Sequence, residues 1–113
     1  MRVYDVNLVG VCYGIRLAIH VMKRQVGGGC IIAIVSANVY LTQPSSAFYD
    51  ASKHVVLGLV CSTAQRANVL TSHISISALR PGLTWTAMTD MIARENTQHV
   101  RSSESKDVAR AVA

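Results

Sequence analysis

Between Asp5 and about Val26 the apolar residues Leu8, Val11, Cys12, Ile15, Ala18, Ile19 and Met22 recur at intervals of three and four, while Arg16, His20, Lys23 and Arg24 hold another face. That spacing follows the helical turn and predicts an amphipathic helix with one side on a core. Gly27-Gly28-Gly29 ends it. The run Ile31-Ile32-Ala33-Ile34-Val35 then shows no alternation, as expected of a strand covered on both faces of a parallel sheet. Residues 36 to 47 collect Ser36, Asn38, Thr42, Gln43, Pro44, Ser45 and Ser46, a polar loop leaving the carboxyl end of that strand, where ligand sites of α/β sheets gather.

A second helical pattern covers about Phe48 to Asn68, with Ala51, Val55, Val56, Leu59, Val60 and Ala64 able to face the core. Ile74, Ser75, Ile76, Ser77 and Ala78 alternate within a strand from His73 to Leu79, predicted to pair parallel to the first strand through a right-handed crossover. Pro81-Gly82 breaks that strand, Thr84 to Arg94 is expected to hold a helical segment, and Ser102 to Ala113 reads as the start of a helix with Glu104 and Asp107 near its amino end. The order is helix, strand, helix, strand, loop, helix, without internal repeats. Two apolar strands with no partner at either outer edge make a poor free-standing sheet, so the pattern is that of a piece of a larger one.

Composition bounds this picture. The chain has 113 residues, 50% of them hydrophobic, enough for one small globular domain and too few for two. The formal charge of +5 comes from residues scattered between Arg2 and Arg110, with no basic stripe interleaved with aromatics, so nucleic acid is not an expected partner. Cys12, Cys30 and Cys61 are widely spaced and form no Cys-x-x-Cys pair, and read as buried reduced thiols. The uncharged stretch from Gln25 to Tyr49 is interrupted by three glycines, Asn38, Gln43 and Pro44, and no cleavage site follows the amino-terminal apolar run. Neither a membrane span nor a signal peptide is expected there, and a reducing cytoplasm is the expected compartment.

Tyr49-Asp50-Ala51-Ser52-Lys53 places a phenol and an ammonium one helical turn apart. A nearby cation favours phenolate, which suits a phenol to exchange a proton with an alcohol or ketone. Any surface helix can carry such a pair. Ser36, however, stands at the end of the buried strand thirteen residues before Tyr49, with a loop able to fold the two together. The combination resembles the short-chain dehydrogenase/reductase family, in which a Ser, a Tyr and a Lys at these spacings polarise a carbonyl and relay its proton while a nicotinamide cofactor exchanges hydride.

Further segments agree. Val6-Asn7-Leu8-Val9-Gly10 resembles the family's Asn-containing helix, which would make Asn7 a fourth catalytic member holding a water beside Lys53. Arg80-Pro81-Gly82-Leu83-Thr84-Trp85-Thr86 resembles the Pro-Gly turn that meets the nicotinamide end of the cofactor. The resemblance thus implies catalytic Asn7, Ser36, Tyr49 and Lys53, with NAD or NADP contacted by Tyr49, Lys53, Pro81, Gly82, Thr84 and Thr86. It implies a partial Rossmann-type α/β domain over 1–113 with a parallel sheet, truncated at both ends and lacking the amino-terminal dinucleotide-binding half. It also implies a homo-oligomer built through the helices 5–26 and 48–68.

The family's glycine-rich phosphate turn, its NAD-or-NADP selecting residue and its Asn-Asn-Ala-Gly segment have no match in these residues, and Ala33, Val39 and Thr84 stand where the family often has Asn, Gly and Val or Ile. The 113 residues alone are therefore expected to be inactive, and the cofactor is expected only where the other half is present. Tyr40, Trp85 and Met88 fall in loops that would border a pocket for an apolar or moderately bulky alcohol or ketone, or would serve packing. His20, His54, His73 and His99 have no metal-site spacing, no Gly-x-Ser-x-Gly elbow is present, and Cys61 reads as a packing thiol. The competing expectation is a non-catalytic remnant that acts, if at all, by associating with other subunits through its helices.

Overall fold

A computed structural model describes residues 2–86, 89 and 103–112. Helix α1 (Arg2–Met22) begins as α-helix over Arg2–Tyr4, opens into a π-helical stretch over Asp5–Gly10 and returns to α over Val11–Met22. Ile15 is buried and Leu8, Val11 and Ile19 pack partly buried on the core, while Arg16, His20, Lys23 and Arg24 are exposed, as the spacing predicts. The helix ends four residues earlier than expected, in turns through Gln25 that lead to Gly27 and Gly28 at φ +96° and +73°. Positive φ there costs glycine nothing and reverses the chain into the sheet.

Strand β1 (Gly29–Ile34) pairs parallel with β2 (Ile74–Leu79), in register from Gly29 opposite Ile74 to Ile34 opposite Leu79. Ile31 and Ala33 from the first strand, Val35 just beyond its end, and Ile76 and Ala78 from the second face the core cluster. On the other face Cys30 and Ile34 are exposed, so the described residues supply cover for one face of the strand, not for both as expected. Among the described residues β2 is the sole strand paired with β1, and the buried positions follow the two-residue period of a sheet covered on one side.

Helix α2 (Ala47–Ala64) closes the core with Val56 and Val60, and a one-turn helix α3 (Ala67–Leu70) follows after a break at Gln65 and Arg66. The buried line on α2 runs through Asp50, Ser52, Val56, Val60 and Thr63, whereas Ala51 and Val55 are exposed. Selecting inward positions by hydrophobicity alone missed three polar ones. Full burial of a valine such as Val56 contributes about 1.5–3 kcal/mol, so a core built on Ile15, Val35, Val56 and Val60 is modest.

Beyond the Pro81-Gly82 turn the expected helix is replaced at its start by a two-residue strand, β3 (Thr84–Trp85), parallel to β4 (Ser103–Glu104). The remainder of the 84–94 expectation, apart from Thr86 and Thr89, lies outside the described residues, as does Ser102. Helix α4 (Ser105–Val112) starts where the Asp107 carboxylate accepts from the Glu104 amide at 3.2 Å, a capping contact that explains the acidic amino end. Cys30 and Cys61 are exposed and Cys12 is half-buried, which corrects the expectation of buried thiols. By length and composition alone α1 is apolar enough to cross a membrane, whereas the Gln25 to Tyr49 stretch forms β1, a loop and the start of α2.

Candidate active site

The carboxyl end of β1 is tied to the turn that follows β2. The Val35 amide donates to the Leu79 carbonyl at 2.8 Å, and the Ala37 amide donates to the Pro81 carbonyl at 2.8 Å. Between them Ser36 is extended and buried, and its Oγ accepts from the Asn38 amide at 3.2 Å, capping the short 3-10 turn Ala37–Val39. Two sequence candidates, Ser36 and Pro81, therefore share one corner of the molecule.

Tyr49 and Lys53 sit in the first half of α2, one turn apart. The Lys53 ammonium lies 5.6 Å from the centroid of the Tyr49 ring and donates to the Ile34 carbonyl at 3.0 Å, at the end of the strand that leads to Ser36. Partial burial holds Lys53 below the ordinary lysine range, because desolvation disfavours its charged form. One cation thus meets both the phenol-bearing helix and the strand end.

Asn7 lies in the π-helical stretch of α1, a distortion often found at functional positions. Its Nδ2 donates to Ser52 Oγ at 3.2 Å, and Ser52 Oγ donates in turn to the Tyr49 carbonyl at 2.6 Å. Asn7 is therefore joined to the Tyr49 to Lys53 turn through Ser52. Ser52 is fully buried, and sequence reasoning assigned it no role.

A second unassigned residue is Asp50, 4% exposed. Its carboxylate accepts from Asn38 Nδ2 at 2.8 Å, from the Gln43 amide at 2.9 Å and from Ser46 Oγ at 2.9 Å. The Asn38 contact, together with those of Gln43 and Ser46 and the nearby His54, holds its pKa below the ordinary carboxylate value against the opposing effect of burial. The signal present in the sequence was an acid on a helix preceded by a loop rich in Asn, Gln and Ser, a pattern that a solvated helix also shows.

The remaining candidates are placed as follows. Thr84 Oγ1 donates to the Gly82 carbonyl at 3.2 Å, and Thr86 Oγ1 lies 3.0 Å from Thr89 Oγ1, so both hydroxyls are engaged within their own turn. Tyr40 is exposed, with the Arg80 guanidinium 5.2 Å above its ring, and Trp85 is exposed on β3. Met88 lies outside the described residues. Among those described, no group of three or more His, Cys, Asp or Glu converges as a metal site would require.

Comparison with known proteins gives this geometry a context. The family profile described as short chain dehydrogenase matches residues 1–97. A 3-alpha-(or 20-beta)-hydroxysteroid dehydrogenase from Mycobacterium bovis is 36% identical over 113 residues, covering 98% of this chain and 42% of its own length. The human 15-hydroxyprostaglandin dehydrogenase [NAD(+)] is 33% identical over 96 residues, 83% of this chain and 36% of its own. Among solved structures, a short-chain type dehydrogenase/reductase from Mycobacterium ulcerans superposes with a TM-score of 0.86 at 26% identity over 96% of this chain and 42% of its own. A 3-ketoacyl-(acyl-carrier-protein) reductase from Brucella melitensis, complexed with NADH, gives 0.82 at 26% identity over 98% and 47%. The chain spans less than half the length of each of these proteins.

Proposed function

The chain belongs to the short-chain dehydrogenase family of oxidoreductases, and from that premise we propose that it serves the interconversion of an alcohol and a ketone or aldehyde with NAD or NADP. The observation that carries this reading is the Lys53 ammonium, set against the Tyr49 ring and hydrogen-bonded to the Ile34 carbonyl at the strand end that leads to Ser36. A phenol, a cation and a hydroxyl are the groups that a carbonyl needs to take up or release a proton.

The residues here suit the nicotinamide end of a dinucleotide. Lys53 offers a cation at the carboxyl end of a parallel strand, and Pro81 and Gly82 form a turn tied to the same strand end. Thr84 and Thr86 follow in that turn and would line it. When bound, the dinucleotide supplies or accepts the hydride. The pyrophosphate would need a glycine-rich turn of the family's kind, which these 113 residues do not include, so they are expected to show no turnover by themselves.

In the reducing direction Tyr49 donates its phenolic proton to the carbonyl oxygen as negative charge gathers there. The Ser36 hydroxyl donates a hydrogen bond to the same oxygen, and the Lys53 ammonium stabilises the phenolate left behind. Asn7, through Ser52, holds the Tyr49 turn against α1 and would support proton resupply. An apolar, moderately bulky substrate is favoured by the exposed Tyr40 and Trp85 near the turn, and by the steroid and prostaglandin named for two relatives. Assembly of copies through α1 and α2, in the cytoplasm, completes the reading.

The test is Tyr49→Phe in the full product of the protein's own gene, assayed for dinucleotide-linked turnover on hydroxysteroid and hydroxy-fatty-acid alcohols. The expected result is a loss of about 100-fold or more in kcat, with dinucleotide binding nearly intact. Unchanged turnover removes Tyr49 as the acid and base.

A further inference from the structure

The polar residues of the loop after β1 do not simply face solvent. Asn38 from the 3-10 turn Ala37–Val39, Ser46 from a second such turn, Pro44–Ser46, and Gln43 from the segment between them all converge on one carboxylate, that of Asp50. Asp50 immediately follows Tyr49 on α2, and Asn38 belongs to the turn that Ser36 caps, its amide donating to Ser36 Oγ. The path from Ser36 to the helix bearing Tyr49 is thus two hydrogen-bonded steps long: Ser36 to Asn38, then Asn38 to Asp50.

We propose that Asp50 is a positioning residue, whose carboxylate docks the loop of residues 37–46 onto α2 and so fixes the Ser36 turn relative to Tyr49. The inference deepens the catalytic reading, since it matters to turnover only if Ser36 and Tyr49 act on one carbonyl. Its physical basis is independent of that reading. An ionised carboxylate offers acceptor sites only, and here it meets three donors from the loop: an amide side chain, a backbone amide and a hydroxyl. Charge-assisted bonds of this kind are stronger than neutral ones, and burial leaves little water to replace them.

An isosteric amide cannot substitute. In Asp50→Asn one of the two oxygens becomes an NH2 group, which confronts either the Gln43 amide or the Asn38 and Ser46 donors with another donor. Protonation of Asp50 has a related effect, so the loop should loosen in acid. His54, on the same helix, is the titratable group that bears on Asp50, its Nδ1 lying 2.8 Å from the Asp50 carbonyl, while the loop presents the uncharged Asn38, Gln43 and Ser46.

Amide hydrogen exchange of the full product of the protein's own gene, followed from neutral to acidic pH, tests this. In Asp50→Asn the protection of residues 37–46 is expected to fall at least tenfold, while amides of β1 and β2 stay within twofold of the wild type. The wild-type loop should lose protection as pH falls below the ordinary carboxylate range, and the variant should lack that step. Asn38→Ala, which leaves the Gln43 and Ser46 bonds in place, should loosen residues 37–40 alone and keeps the test open if Asp50→Asn does not fold. Unchanged loop exchange in both variants overturns the proposal, and so does equal loosening of loop and strands, which would make Asp50 a general stabiliser. Tyr49→Phe should leave loop exchange unaltered, so a failed catalytic reading and a failed positioning role give different results.

Discussion

The Lys53 ammonium donates to the Ile34 carbonyl across 3.0 Å, linking a helix side chain to the last residue of β1. Strand ends in a parallel sheet leave carbonyls pointing beyond the ladder, and this one is satisfied by a cation that also faces the Tyr49 ring. Burial holds Lys53 below the ordinary lysine value of about 10.4. Between the folded-state value and that reference the unfolded chain binds more protons than the folded one, so stability should rise with pH across this alkaline window. Lys53→Met should abolish the rise attributable to this group. Urea denaturation at a series of pH values checks it, and parallel pH slopes for wild type and variant would count against the assignment.

Ser52 joins Asn7 to Tyr49 by accepting from one side chain and donating to the other residue's carbonyl. Ser52→Ala removes both contacts at a fully buried position, at an expected cost of about 1–3 kcal/mol in unfolding free energy. Ser62, exposed further along the same helix, provides the comparison, with Ser62→Ala expected within about 0.5 kcal/mol of wild type. Similar small effects for both would mean that the link from α1 to the Tyr49 turn carries no stability.

The inner face of α1 was legible because its charged residues segregate from Leu8, Val11, Ile15 and Ile19, and the β1 and β2 segments because glycines and Pro81 punctuate them. The residues proposed for chemistry were legible for another reason. Proton transfer needs particular side chains, and Tyr49 and Lys53 are brought together by one helical turn, a local fact. Ser52 was hidden because its partner Asn7 lies on α1, remote in sequence, and Asp50 because its burial depends on how the irregular 37–46 loop before α2 folds back onto it, which no periodicity announces. Exposure of Cys30 and Ile34 was hidden likewise, since whether a strand's second face is covered depends on what else lies against the sheet. At the start of the 84–94 segment, strand pairing of Thr84 and Trp85 with Ser103 and Glu104 takes the place of the expected helical turn.

Two glycines should respond with opposite signs. At Gly28 φ is +73°, and a Cβ would lie 2.1 Å from the His73 carbonyl oxygen, a backbone atom that cannot rotate away. Gly28→Ala should cost about 2 kcal/mol or more and displace the start of the β1 and β2 ladder. Gly58, within α2, has nothing within 4 Å of the corresponding point. Gly58→Ala should stabilise by about 0.5–1 kcal/mol through helix propensity. Thermal unfolding of the two variants side by side decides, and a stable Gly28→Ala would mean that the turn is not built as described.

The outward side of α1 carries Val6, Tyr13 and Leu17, exposed at 64%, 67% and 64%, and α2 adds Phe48 at 63%. A spacing of four puts Tyr13 and Leu17 on one stripe of the regular part of α1, opposite the face that holds Ile15. A stripe of this kind on a helix whose other face already serves the core favours a partner, and the proposed assembly places a second copy there. Sedimentation of the wild type should then show an oligomer, and Leu17→Glu should shift it to monomer while the far-ultraviolet circular dichroism stays the same. Leu17 contributes nothing to the buried core, so a variant that unfolds rather than dissociates would show that the folded state itself depends on the partner. A wild type that sediments as a monomer at all concentrations would remove helix-mediated assembly of these residues.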